Sequence, residues 1–142
     1  MFDSCTSLVI APELPAATLA NSCYNHMFND CALLVVAPEL PATILVTGCY
    51  GGMFYGCASL TKAPVLPATT LVNQCYNGMF YNCTSLNYIK AMFTTTPTSD
   101  YTFNWVYNVA PTGTFVKNST ASWNVSGDNG VPNEWTIETA TE

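Results

Sequence analysis

Charge is scarce in this chain. Of its 142 residues only 3 are basic, against 9 that are acidic, and the formal net charge is −6. The basic residues are all lysine, and His26 is the single histidine. So few cations cannot neutralise a run of phosphates, so no nucleic-acid partner is expected. The same shortage argues against a polybasic contact with an anionic membrane. No apolar run approaches the roughly 18 residues of a membrane span. No basic-then-apolar leader follows Met1, so neither a span nor a signal peptide is expected in this chain. The 7 cysteines include no Cys-x-x-Cys pair, and no second histidine stands beside His26, so no metal site is expected. No lysine follows the glycine cluster Gly48, Gly51, Gly52 and Gly56, which excludes a phosphate loop. Carboxylates are too sparse to suggest a hydrolytic dyad, and Glu13 and Glu39 read as a solvated edge. The expectation is a chain that is not an enzyme and takes no cofactor.

Repetition is what the chain does have. Met-Phe recurs at Met1-Phe2, Met27-Phe28, Met53-Phe54 and Met79-Phe80, always 26 residues apart. Three complete units, 1–26, 27–52 and 53–78, are followed by a fourth that starts over 79–93 and then departs from the pattern. A fixed period of this length points to a repeat array. Positions shared by all three units include Phe2, Cys5, Leu8, Ala11, Leu14, Leu19, Cys23 and Tyr24. Each must stack on its copy in the neighbouring unit, which fixes its size and polarity. The expected ladders are Phe2, Phe28, Phe54 and Phe80; Cys5, Cys31, Cys57 and Cys83; and Leu8, Leu34, Leu60 and Leu86. On this reading the cysteines are buried free thiols.

Each unit divides in two. Leu19, Cys23 and Met27, with Ala20, Tyr24 and Phe28, form an apolar stripe at helical spacing. Ser4, Asp30, Gly56 and Asn82 share a phase and suit a left-handed stop. Gly51-Gly52 and Asn77-Gly78 weaken the centre, so one helix and two short helical pieces remain equal readings. The other half, Ser7 to Leu14, is β-prone at Leu8, Val9 and Ile10, and Pro12 and Pro15 keep it short.

The pattern F-x-x-C-x-S-L-x-x-A-P-x-L-P, carried by Phe2, Cys5, Leu8, Ala11, Leu14 and Pro15 and their later copies, resembles the BspA-like (Treponema-type) bacterial leucine-rich repeats. The resemblance covers residues 1 to 90. The unit is longer than that family's usual one, and Pro12, Pro38 and Pro64 are additional. The tail, GTFVKN and then GVPNEWTIE, is similar to the ends of such proteins from Bacteroides-type bacteria and their phages. The fold expected is an α/β solenoid, a leucine-rich-repeat coil over 1–93. It would carry a short parallel sheet on one side, helical or 3-10 segments on the other, and a β-rich capping segment over 94–142. The resemblance implies an adhesion or protein-binding role without catalysis. It places the molecule outside the cell, on the cell surface or on a phage particle.

Trp105, Trp123 and Trp135 all fall in the final segment. They are expected to bury the end of the core, with a sugar-stacking surface as the other reading. The sequence enters the repeat in phase at Met1-Phe2 with no polar cap. Upstream repeats, or a second chain, are therefore expected to cover that edge.

Positions that vary beside constant neighbours are the binding candidates. One phase holds Val9, Val35, Thr61 and Asn87, and the next holds Ile10, Val36, Lys62 and Tyr88. At least one of them should face outward on the sheet side. The partner expected there is a protein or a surface glycan. The alternative is a spacer or assembly element that stacks on another chain, giving a homo-oligomer.

Overall fold

The computed structural model describes residues 2–141, so Met1 of the Met-Phe series lies outside the described residues. Its regular elements are few: β1 (Tyr88–Ala91), α1 (Ser99–Thr102), β2 (Thr114–Lys117) and β3 (Thr136–Thr139). The strands form one open parallel sheet in the order β1-β2-β3, in which Tyr88 pairs with Thr114 and Thr114 with Thr136. The expected α/β solenoid with its leucine-rich-repeat coil is therefore corrected. Three short parallel strands and a single four-residue helix are what the described residues form.

The helical half fails for a reason written in its backbone. Residues 21–30, 47–56 and 73–82 are continuous turn. Every fourth residue there has positive φ: Ser22, His26 and Asp30, then Gly48, Gly52 and Gly56, then Gln74, Gly78 and Asn82. A right-handed helix cannot pass through such residues, and most of these side chains are types that tolerate the left-handed region. Donors alternate accordingly. Cys23, Asn25 and Met27 donate N–H three residues back, whereas Ser22, Tyr24 and His26 donate to Thr47, Cys49 and Gly51 in the next copy. A helical stripe and this spiral of turns share an apolar spacing, so periodicity alone does not separate them.

The extended half stays irregular because of proline. Ile10–Val36 and Lys62–Tyr88 are isolated parallel bridges, not strands. Pro12, Pro38 and Pro64 occupy one phase, and the fourth copy has Lys90 there. Proline holds φ near −65° and offers no N–H, while a parallel strand wants φ near −120°. Where the ring is absent, β1 forms.

The copies lie in register, and their ladders make the core. Phe28, Phe54 and Phe80, Cys31, Cys57 and Cys83, and Leu34, Leu60 and Leu86 are fully buried. Phe2, Cys5 and Leu8 are half-buried. Successive Phe rings stack at 5.6, 5.7 and 5.8 Å.

The register runs on past residue 93. Tyr76, Gly78 and Phe80 donate N–H to the carbonyls of Tyr101, Phe103 and Trp105, and Asn104 and Asn108 repeat the positive φ of Gly78 and Asn82. α1 starts on Thr98, whose hydroxyl accepts from Asp100 N–H. The loop at 128–130 closes this end. Val106 N–H reaches Asp128 O, Asn104 N–H reaches Asn129 Oδ1, and Trp105 Nε1 reaches Gly130 O. All three tryptophans are buried, and Trp123 and Trp135 likewise donate to the carbonyls of Phe93 and Ala110.

Candidate binding face

The face begins with the turn of the chain after each ladder leucine. Leu34 and Ala63 point inward, and the two residues between those phases are exposed in the first three copies. Both candidate phases are thus exposed. Val9 and Val35 are each 47% exposed, Ile10 is 64% exposed and Val36 is 49% exposed. Thr61, Lys62 and Asn87 are exposed and Tyr88 is half-buried. The structure lines up Ile10 with Val36 and Lys62 with Tyr88. No bridge joins Val36 to Lys62.

Beside this row the proline-rich segments open two shallow grooves. One, of about 570 Å³, runs between residues 11–15 and 36–41, with Glu13 and Glu39 on its walls. The other, of about 360 Å³, lies between 35–39 and 62–65, where the bridging is interrupted. The chemistry changes along the row. The Ile10–Val36 end is aliphatic and flanked by two carboxylates, whereas at the other end Lys62 Nζ sits 5.2 Å from the centre of the Tyr88 ring.

The remaining candidates are structural. Cys31, Cys57 and Cys83 donate Sγ–H to the carbonyls of Phe2, Phe28 and Phe54, one copy back. Burial pushes the thiols of Cys57 and Cys75 up to about 12, which suppresses the nucleophilic thiolate at neutral pH. His26 is exposed, with its ring against Asn25 Oδ1. Among the described residues no group of three or more His, Cys, Asp or Glu side chains converges as a metal site would require. None of their helices is long and apolar enough to cross a membrane.

One surface feature went unread in the sequence. Tyr55, Tyr81 and Tyr107 stack at 4.6 and 4.7 Å on the turn side, and Asn108 Nδ2 donates to Asn82 Oδ1 beside them. The signal was the same 26-residue spacing, carried past the point where the Cys and Leu phases lapse.

No family model matches this chain, and neither a curated protein nor a solved structure matches it.

Proposed function

We propose that the chain is a non-enzymatic binding module that takes a protein partner against the face formed by Ile10, Val36, Lys62 and Tyr88, with Val9, Val35, Thr61 and Asn87 at its margin. The observation that carries this reading is the pair of bridged, exposed aliphatic side chains, Ile10 and Val36, beside the groove of about 570 Å³. An exposed apolar patch, here Val9, Ile10, Val35 and Val36 beside the carboxylates of Glu13 and Glu39, is a usual mark of an interaction site. Aliphatic and proline walls suit an extended protein segment better than a sugar, because no open aromatic ring lies in that groove. Glu13 and Glu39 favour a basic residue in that segment. The resemblance to BspA-like repeats supports display outside the cell or on a virion surface.

The test is a peptide-display selection on the parent chain and on Ile10→Asp/Val36→Asp. The double variant changes only exposed side chains, so its melting temperature should hold. Peptides enriched by the parent should be apolar and basic and should lose binding to the variant. Equal binding to both chains would remove this face from consideration.

A further inference from the structure

We propose that the open side of residues 20–26 is an extension edge, which accepts one further 26-residue layer of the same pattern and chain direction rather than a second copy of this chain. It is separate from the face above and does not depend on it.

The argument is one of polarity. In the later copies the carbonyls at one set of phases accept from the copy before. Thr47, Cys49 and Gly51 accept from Ser22, Tyr24 and His26, and Asn73, Cys75 and Asn77 accept from Gly48, Tyr50 and Gly52. The corresponding carbonyls in the first copy are those of Asn21, Cys23 and Asn25. Among the described residues no hydrogen bond reaches them. The edge therefore offers three backbone acceptors in a row, spaced to match three amides of another turn segment.

The side chains agree. Cys49, Tyr50, Met53 and Leu45 are buried, whereas their first-copy equivalents Cys23, Tyr24, Met27 and Leu19 are exposed or half-buried. Cys31, Cys57 and Cys83 each donate to a Phe carbonyl one copy back, and Cys5 Sγ has no such acceptor among the described residues. A layer of this pattern supplies the three donors, the Phe carbonyl and the apolar cover together.

A second copy of the chain does not. Two such edges brought together about a two-fold axis would set carbonyl against carbonyl. Head-to-tail stacking needs free amides at the other end, where Asn104 N–H and Val106 N–H are already bound to Asn129 Oδ1 and Asp128 O.

The experiment compares the parent chain with one carrying an extra copy of residues 27–52 placed in phase ahead of Met1. Thiol labelling without denaturant should modify Cys5 and Cys23 in the parent, which should be monomeric by light scattering. In the extended chain both positions should lose labelling and the melting temperature should rise. A proline at the Tyr50 position of the added copy removes the donor that faces the Cys23 carbonyl, and labelling of Cys23 should return. A parent that dimerises with Cys5 and Cys23 protected would overturn the proposal. So would a folded extended chain in which both thiols still react, or equal protection with and without the proline.

Discussion

Cys57 Sγ donates to the carbonyl of Phe28, 29 residues earlier, at 3.2 Å. The same bond joins Cys31 to Phe2 and Cys83 to Phe54. The cysteine phase is therefore not simply a small apolar slot. It asks for a compact side chain that also donates. Cys57→Ser keeps a donor of similar size and should stay within about 1 kcal/mol of the parent. Cys57→Leu adds carbon atoms to a closed core and loses the donor, so it should cost about 1–3 kcal/mol. Urea unfolding measures both. Equal losses would mean that the bond to Phe28 contributes nothing.

Stability should fall in alkali. Burial raises the thiols of Cys57 and Cys75 from an ordinary 9.0 to about 12, and raises that of Cys83 in the same direction. The folded state thus binds these protons more tightly than the unfolded chain does. The stability linked to them is complete below pH 9.0 and is lost as pH rises towards about 12. Each such thiol contributes a slope of about 1.4 kcal/mol per pH unit in that window. Asp3 works in the opposite sense. Hydrogen bonds from Asn29 and Ser4 hold its carboxyl below 3.8, so its contribution is lost only in acid, and it is fully exposed. Urea midpoints should hold from neutral pH down to about pH 5 and drop steeply above about pH 9. A flat alkaline profile would show that the thiols ionise in place.

Gly52 lies directly against the His26 ring, and its φ is +59°. A Cβ at that position would overlap the imidazole. Gly52→Ala should therefore cost about 2 kcal/mol or more, from strain and collision together. His26→Ala in the same chain removes the collision and leaves the strain, about 1 kcal/mol. Thermal melts of the two single variants and the double variant would show this as coupling of about 1 kcal/mol. Strict additivity would place the ring elsewhere.

How much of this was legible in the sequence follows from what a repeat can and cannot encode. Phe28, Cys31 and Leu34 were readable as buried ladder positions, because stacking on a copy constrains size at a fixed phase. Ser4, Asp30, Gly56 and Asn82 were readable as left-handed positions from residue type, and all four have positive φ. The conformation between them was not. Cys23 and Met27 sit at helical spacing, yet their amides bond three residues back while those of Tyr24 and Phe28 bond to another copy. Apolar spacing reports which side chains face inward and is silent on where each N–H points. The outward position of Ile10 and Val36 was half legible. Their variability marked them, but strand alternation required only one of the two phases to face outward, and the chain turns so that Val9 and Val35 are outside as well. The stacking of Tyr107 on Tyr81 was masked because neighbouring phases change identity at the same point.

The tyrosine ladder makes the last prediction. Tyr50 and Tyr76 stack at 6.1 Å, and both are almost wholly buried. Their hydroxyls are enclosed, and neither has a hydrogen-bond partner. A buried hydroxyl without a partner costs about 1–3 kcal/mol of desolvation. Phenylalanine keeps the ring and its stacking and removes that cost. Tyr50→Phe and Tyr76→Phe should each stabilise the chain by about 1 kcal/mol, against the usual direction of core substitutions. For a chain of this size that raises the melting temperature by about 3–5 °C per site. Because the two side chains touch, the double variant need not be additive, but it should melt above either single one. The first copy supplies the control. Tyr24 is half-buried, so Tyr24→Phe should leave the melting temperature unchanged. A fall at Tyr50 or Tyr76 would mean that those hydroxyls hold a bond that the ladder geometry does not provide.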